Sequence, residues 1–324
     1  MYLCMAKLFL FFFVNDYIMD AEARAFTKSI IKHNGKKGCE KCTVEGRKVA
    51  GRMTFTNLDA PLRTDDSFLN RDDPAHHKNI ISPLEEIGTN MVSQFPLEPL
   101  HLVYLGVFKR WLDFILKERG PFSIEDEALD SLSSDLCAIK PSTPSEFKRK
   151  PKKLKRRGNH LKGKELRRIL LYDGPKIFKE NLEPNLYKNF LLLHVPIYIL
   201  ASPHLYETLN DVADALLREF VAHAKDVFGT IFVVYNPHSF IHLAAECRRR
   251  GPLDSWSTFK YENYLGVMRR TLRSGARPLQ QLANRCEETG GLLTNPKTPE
   301  DPDTPVLSMS HHIDEDLEEG SFDK

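Results

Sequence analysis

Residues 8–20 read LFLFFFVNDYIMD, an apolar run that ends in a carboxylate. A run that is apolar on both faces is typical of a central strand in a sheet covered on both sides. It is too short to span a bilayer. It also resembles the apolar part of a signal peptide, but acidic residues follow it at once, so we prefer the strand. The pattern predicts a buried strand over 8–19 and a helix over 21–32.

Downstream of this start the sequence predicts a further strand over 47–56, irregular chain over 57–90 and then mostly helix. Pro99 opens one helix, and two more apolar helical segments follow over 164–201 and 205–228. The inner face of the last segment is predicted from its spacing to carry Leu209, Val212, Leu216 and Phe220. The fold class is therefore α/β, with a small α/β part followed by a large helical region.

Charge is distributed unevenly along the chain. The net charge of the 324 residues is +2, but residues 300–324 carry nine acidic residues and one Lys, so the remainder carries +10. A basic body suits a partner with a phosphate backbone. Residues 141–160 are rich in Pro, Ser and charge and predict an exposed linker, and the composition after residue 287 predicts disorder.

Two short motifs have the residue types and spacing of metal ligands. Cys39 and Cys42 form a C-x2-C pair in a loop flanked by glycine, and a redox dithiol or two free cysteines are the alternatives. His238 and His242 lie four residues apart on a predicted helix and so share one face. Isolated histidines at this spacing are as easily explained by one buried and one exposed side chain. Together the four residues make a Cys2His2 set, which favours zinc.

Two carboxylates are candidates for a second metal site. Asp20 follows the predicted strand, a common place for a Mg²⁺ ligand, and it could equally cap the next helix. Glu262 lies near the start of a helix with a predicted core stripe of Tyr261, Leu265, Met268 and Leu272. Its ordinary interpretation is a first-turn acid favoured by the helix dipole.

A basic run over 148–157 (KRKPKKLKRR) holds eight Lys or Arg in ten residues. It predicts phosphate contacts or a nuclear localisation signal, and a solvated linker is the alternative. The predicted DNA contacts comprise this run and three arginines near Glu262: Lys148, Arg149, Lys150, Lys152, Lys153, Lys155, Arg156, Arg157, Arg269, Arg270 and Arg273.

In this order, these pieces resemble the transposases of CACTA-like cut-and-paste elements and, more distantly, the recombinase that assembles vertebrate antigen-receptor genes. The matching stretches are 20–26 (DAEARAF), 38–42 (GCEKC), 95–102 (FPLEPLHL), 166–175 (LRRILLYDGP), 235–242 (YNPHSFIH) and 259–265 (FKYENYL). Together they cover roughly residues 15–285.

The resemblance implies a partial RNase H-like core with a large, mostly α-helical insertion. In that family, carboxylates hold two Mg²⁺ ions that promote attack on a phosphodiester. Asp20 would match the second carboxylate and Glu262 the third, and the Cys2His2 set would match zinc ligands that join the insertion to the core. The family's first Asp lies on an earlier strand, and only 19 residues precede Asp20. The resemblance therefore implies an N-terminally truncated member without strand cleavage of its own.

The implied division of the chain is a partial core with a zinc knuckle, a helical insertion that includes the basic segment 148–168, C-terminal helices with the His pair and Glu262, and a disordered acidic tail. Their bounds are 1–60, 61–230, 231–286 and 287–324.

The expected function is that of a transposase-derived, nuclear, DNA-binding protein with structural zinc, with Mg²⁺ bound only if activity survives. No membrane partner is expected, and the sequence leaves a homo-oligomer open. Two alternatives are a non-enzymatic nuclear interaction protein that uses the basic segment and the acidic tail, and a fragment that does not fold stably.

Overall fold

The structure, a computed structural model, describes residues 14–117, 123–147, 149–156 and 159–288, with the backbone alone for Lys117. The described chain is mostly helical and contains one small antiparallel sheet of two strands. The sequence-predicted α/β class holds only in this coarse sense. No helix in these residues is long and apolar enough to cross a membrane.

The sheet pairs β1 (Arg47–Val49) with β2 (Arg52–Thr54). The α-helices are α1 (Ala21–Thr27), α2 (Asp65–Leu69), α3 (Pro83–Glu86), α4 (Lys109–Lys117), α5 (Asp126–Ala138), α6 (Gly163–Arg168), α7 (Gly174–Asn181), α8 (Pro184–Ala201), α9 (Asn210–Phe228), α10 (Tyr235–Ser239), α11 (Leu243–Arg250), α12 (Phe259–Thr271) and α13 (Pro278–Glu288). Two π-helical segments run directly into α4 and α7, namely Leu100–Phe108 and Ile169–Asp173. Single 3-10 turns lie at Pro74–His76, Thr230–Phe232, Phe240–His242 and Leu253–Trp256.

The predicted strand over 8–19 is wrong for its described part, because residues 14–20 form no strand. Residues 8–13 lie outside the described residues. Tyr17 donates its backbone N–H to the carbonyl of Gln94 at 2.8 Å and stacks on Phe95 with ring centroids 5.0 Å apart. The partner of this segment is thus an irregular loop. Helix α1 is also shorter than predicted, since it ends at Thr27 and Ser29 takes a positive φ of 52°.

The predicted strand over 47–56 is instead a tight hairpin. Val49 pairs with Arg52, and the two residues between them have φ values of 45° (Ala50) and 81° (Gly51). Two consecutive positive φ angles are the signature of a type I′ turn, whose twist matches that of the flanking strands. The sequence signal that was missed is the glycine at the second position of the turn.

The main core is helical and aromatic. Trp111 is fully buried against Phe178 and Phe190, with ring centroids 5.3 and 5.6 Å away, and its indole N–H donates to Asn189 at 3.0 Å. The helix that Pro99 was predicted to open is present, as the continuous segment from Leu100 to Lys117. Its π-helical first half buries nearly every side chain.

The predicted inner face of the 205–228 segment is largely wrong. Leu209 and Val212 are exposed and only Phe220 is fully buried. The buried face of α9 is formed by Ala213, Leu217, Phe220, Val221, Ala224 and Val227. Small alanines supply part of this face because α9 packs closely against α8. A prediction based on large apolar residues alone therefore placed the buried face on the wrong side of the helix.

The predicted exposed linker over 141–160 is only partly exposed. Leu154 is buried in the helical core, and Ser133 of α5 donates to its carbonyl at 3.0 Å. At the other end, the last described helix, α13, ends at Glu288. Residues 289–324 lie outside the described residues. The predicted domain boundaries stay a prediction.

Candidate metal centre

The C-x2-C pair lies in a tight loop held from both sides. Gly38 lies so close to the preceding turn that a Cβ would be 2.7 Å from the carbonyl oxygen of Lys32, so glycine is needed there. The Arg63 side chain donates through Nε to the carbonyls of Cys39 and Cys42, both at 3.1 Å. Both cysteines are therefore presented inward, and each is 1% exposed.

The histidine pair arrives from the far end of the chain. His238 lies on α10 and His242 ends the 3-10 turn that follows, so the predicted helix over this segment is interrupted rather than continuous. Helix α11 then ends at Gly251, as predicted, with φ 89°. Both imidazoles are buried, His238 completely.

The four side chains converge on one point. The Sγ atoms of Cys39 and Cys42 are 3.5 Å apart, Cys42 Sγ is 3.3 Å from His238 Nε2, and Cys39 Sγ is 3.7 Å from His242 Nε2. Bond lengths of about 2.3 Å to sulfur and about 2.0 Å to nitrogen in tetrahedral zinc sites place neighbouring ligand atoms about 3.3–3.8 Å apart. These three distances fit a tetrahedral ion.

This prediction of the sequence is confirmed at the level of the ligand set. Within the described residues, it is the one group in which three or more such ligand atoms lie within 4.8 Å of one another. A buried Cys2His2 group can hold a metal ion, and all four positions are filled by protein, as in structural rather than catalytic zinc sites.

The surroundings orient the ligands for metal binding. The outer nitrogen of His238, Nδ1, lies 3.1 Å from the carbonyl oxygen of Phe55, an acceptor that fixes the proton on Nδ1 and leaves Nε2 bare for a metal. Burial raises the pKa of the Cys39 thiol, but hydrogen bonds from Cys42 and both histidines outweigh it, so that pKa is well below its usual range. The hydrogen bond to Cys39, and then burial, raise the pKa of Cys42.

A buried ion cluster, which sequence reasoning missed, connects the knuckle to α1 and α10. Glu40, between the two cysteines, accepts hydrogen bonds from Arg24 at 3.0 Å, Lys28 at 3.2 Å and the Tyr235 hydroxyl at 2.8 Å. Burial alone would raise the pKa of Glu40, but the two cations and the hydroxyl lower it to about 2. The only sequence signal is Glu40 itself, an acid inside the knuckle.

Asp20 acts as the N-cap of α1. Its Oδ1 accepts the backbone N–H of Ala23 at 2.8 Å, which is the ordinary alternative weighed from the sequence. It also lines a cavity of about 710 Å³ together with Glu98 and His101. The structure does not bring Asp20 and Glu262 into a cluster of three or more metal-ligating atoms among the described residues.

Glu262 lies in the first turn of α12 and faces His101, with His101 Nε2 3.6 Å from its carboxylate. The predicted core stripe of α12 is wrong. Tyr261 and Leu265 are exposed, and the only buried residue of the helix is Phe259. Phe259 attaches the start of the helix to the core, and Tyr261 and Leu265 further along do not face the core.

Glu98 and His101 are functional candidates that sequence reasoning passed over. Glu98 is buried and accepts the backbone N–H groups of Leu100, His101 and Thr258, each at 2.8 Å. It thereby ties the start of α12 to the start of the Leu100 helix. It also accepts from His101 Nδ1 at 2.6 Å, which raises the pKa of that imidazole against the opposing effect of burial. The signal available in the sequence was an acid beside Pro99, three residues before a histidine.

The basic run is partly committed to internal contacts. Arg156 pairs with Asp126 at 2.6 Å and also donates to the carbonyl of Ile124 at 2.6 Å, and Lys152 pairs with Glu165 at 2.8 Å. Lys150 donates to the carbonyl of Thr143 at 2.6 Å. The cations of the run with no such contact are Arg149, Lys153 and Lys155, all exposed. Lys148 and Arg157 lie outside the described residues.

The three predicted arginines at the end of α12 and just after it, Arg269, Arg270 and Arg273, are exposed.

Comparison of the chain with protein-family models, with curated proteins and with solved structures gives no match.

Proposed function

We propose that this chain is a zinc-stapled, transposase-derived DNA-binding protein, similar to the catalytic domain of CACTA-like cut-and-paste transposases, and that it does not cleave DNA on its own. It would act in the nucleus, through contacts made mainly to DNA phosphates. The RNase H-like core implied by the resemblance is part of this proposal.

The observation that carries the proposal is the Cys2His2 centre. Its two halves are separated by 196 residues between Cys42 and His238, yet their ligand atoms lie 3.3 Å apart. The resemblance implies a zinc ion that joins the large helical region to the N-terminal part in this way. A closed set of four protein ligands supports a structural role for the ion, and zinc is the metal that such a set favours.

The proposal of inactivity is supported by the positions of the two carboxylates. Asp20 is engaged at the N-terminus of α1, and Glu262 is 55% exposed and faces an imidazole. Two-metal cleavage needs carboxylates that share metal ions about 3.5–4 Å apart. With both carboxylates in these contacts, the protein would keep the shape and charge of a transposase catalytic domain and bind DNA without cutting it.

Fluorescence anisotropy with labelled duplex DNA tests the binding, using zinc-loaded protein over a series of salt concentrations. We expect an association constant that falls steeply and linearly with salt on logarithmic axes, as phosphate contacts require. Soluble, zinc-loaded protein that does not bind would refute the proposal and favour the nuclear interaction protein. Aggregation of zinc-loaded protein would favour the unstable fragment.

A plasmid-nicking assay with Mg²⁺ tests the second half of the proposal. We expect no nicking above the level of the Asp20→Ala/Glu262→Ala variant. A Mg²⁺-dependent nick in the wild type that this variant lacks would overturn the proposed inactivity while leaving the resemblance in place.

A further inference from the structure

Three adjoining cavities form one groove along the buried π-helical segment. The cavity that contains Asp20 and His101 has a volume of about 710 Å³ and shares Arg52 and Arg110 with a second of about 430 Å³. The second shares Leu105 and Lys109 with a third of about 820 Å³, which contains Glu262. The residues of the segment Leu100–Lys109 line all three cavities and form the floor of the groove.

The groove walls come from separate parts of the chain. The turn of the β1–β2 hairpin supplies one wall with Lys48 and Arg52, and the chain before and within α6 supplies the other with Arg149 and Lys162. Asn236, two residues before the metal ligand His238, also lines the first cavity. It packs so closely on the floor that a Cβ at Gly106 would be 2.6 Å from its side chain. The metal centre therefore fixes part of the groove.

Some cations that line these cavities are paired within the protein, such as Arg167 with Asp254 and Arg168 with Asp173, but five others are not. Lys48, Arg52, Lys109, Arg149 and Lys162 have no carboxylate partner among the described residues. Five acids also line the cavities: Asp20, Glu22, Glu98, Asp113 and Glu262. Glu98 and Glu262 face His101, Glu22 pairs with Lys32, and Asp20 caps α1. By contrast, two cations of the basic run, Lys152 and Arg156, are paired. Unpaired Lys and Arg on the walls of a cleft concentrate positive potential inside it.

We propose that this groove is the DNA-binding site of the chain, and that these five cations contact the phosphates of a DNA backbone lying along the π-helical floor. The inference rests on the proposed function and names its interface, which shares only Arg149 with the basic run expected from the sequence.

His101 and the two carboxylates also line this groove. A backbone in this groove would pass His101, whose Nε2 lies 3.6 Å from Glu262. The raised pKa of His101 favours its cationic form, which suits a phosphate neighbour. Asp20 and Glu262 would then lie beside the bound strand in the first and third cavities.

The test is duplex DNA binding by three charge-reversal double variants, measured by anisotropy over a salt series. The groove variant is Arg52→Glu/Lys109→Glu, and the basic-run variant is Lys153→Glu/Lys155→Glu. A matched control with the same change of charge, Lys176→Glu/Lys179→Glu, alters two exposed lysines of α7 that line none of the three cavities. Circular dichroism and zinc content establish that each variant is folded.

We expect the groove variant to raise the dissociation constant at least about tenfold and to reduce the salt slope by about 2, one for each lost phosphate contact. The control should change both quantities far less. A groove variant that matches the control would overturn this inference and leave the proposed function intact, most directly if the basic-run variant loses binding instead. Wild-type protein that binds no DNA at all would overturn both.

Discussion

The substitution Glu40→Gln should destabilise the protein strongly, although it changes the shape of the side chain very little. The two side chains have nearly the same shape, but Glu40 is the only carboxylate that contacts Arg24 and Lys28 in the part of the chain that the structure describes. All three are buried, with Lys28 0% exposed. The substitution therefore leaves two cations in a low-dielectric site with no counter-charge.

The expected cost follows from that geometry. Removal of one partner from a buried ion pair typically costs about 3–5 kcal/mol, because the remaining charge is left uncompensated. Lys28 can relieve part of this by losing its proton, since burial already lowers its pKa to about 8. Replacing it by an apolar residue should relieve more. We expect Glu40→Gln/Lys28→Met to be more stable than the sum of the two single variants predicts, with a coupling of about 1–3 kcal/mol.

Urea denaturation at saturating zinc, followed by the fluorescence of the buried Trp111 and Trp256, measures these quantities. The matched control is Glu45→Gln, because Glu45 contacts Lys36 and Lys37 on the surface of the same loop. Solvent screens such pairs, so the control should unfold almost as the wild type does. A Glu40→Gln protein as stable as the control, or a double variant whose effects simply add, would refute the buried cluster.

The remaining predictions concern the frame of the metal centre. Arg63→Met should weaken zinc affinity about 10- to 100-fold, because the carbonyls of Cys39 and Cys42 lose their hydrogen-bond donor. Competition with a chelator measures the affinity, and an unchanged value would show that Arg63 does not hold the cysteine loop. His76 should make the protein less stable below pH 6.5. Burial, with a contribution from Arg63, lowers the pKa of His76 from 6.5 to about 3, so below pH 6.5 the unfolded chain binds a proton that the folded chain does not bind. The free energy of unfolding should fall by about 2 kcal/mol between neutral pH and about pH 5, and this fall should be absent in His76→Gln at equal zinc loading. If the stability of the wild type and of His76→Gln changed with pH in the same way, the prediction would be wrong. Gly106→Val should cost about 1–3 kcal/mol through its clash with Asn236, and an undisturbed melting temperature would show that the contact is not close.

The sequence was most informative where chemistry restricts residue type and spacing. A C-x2-C pair and two histidines four residues apart can be recognised without knowing the fold, because a metal needs those atoms at those separations. The capping role of Asp20 was foreseen as an alternative for a similar reason, since N-caps use few residue types.

Long-range packing was the part that patterns could not supply. Residues 14–19 are apolar enough for a strand, but in the structure Tyr17 pairs with a loop residue some 77 positions later. Tyr261 and Leu265 of α12 have helical spacing and yet are exposed, because the helix is attached to the core at its start, where Phe259 is buried and the Thr258 N–H donates to Glu98. Likewise, the buried role of Glu40 depends on cations from α1, and nothing in a five-residue knuckle specifies them.

The central claim is that four distant side chains hold one structural zinc ion. Elemental analysis of the purified chain tests it most directly, comparing the wild type with Cys42→Ser and His238→Ala, and using Cys137→Ser and His204→Ala as controls outside the centre. We expect one zinc per chain in the wild type and both controls, and its loss in both ligand variants. A folded wild type without zinc, or ligand variants that retain it, would show that these four residues do not form a zinc site.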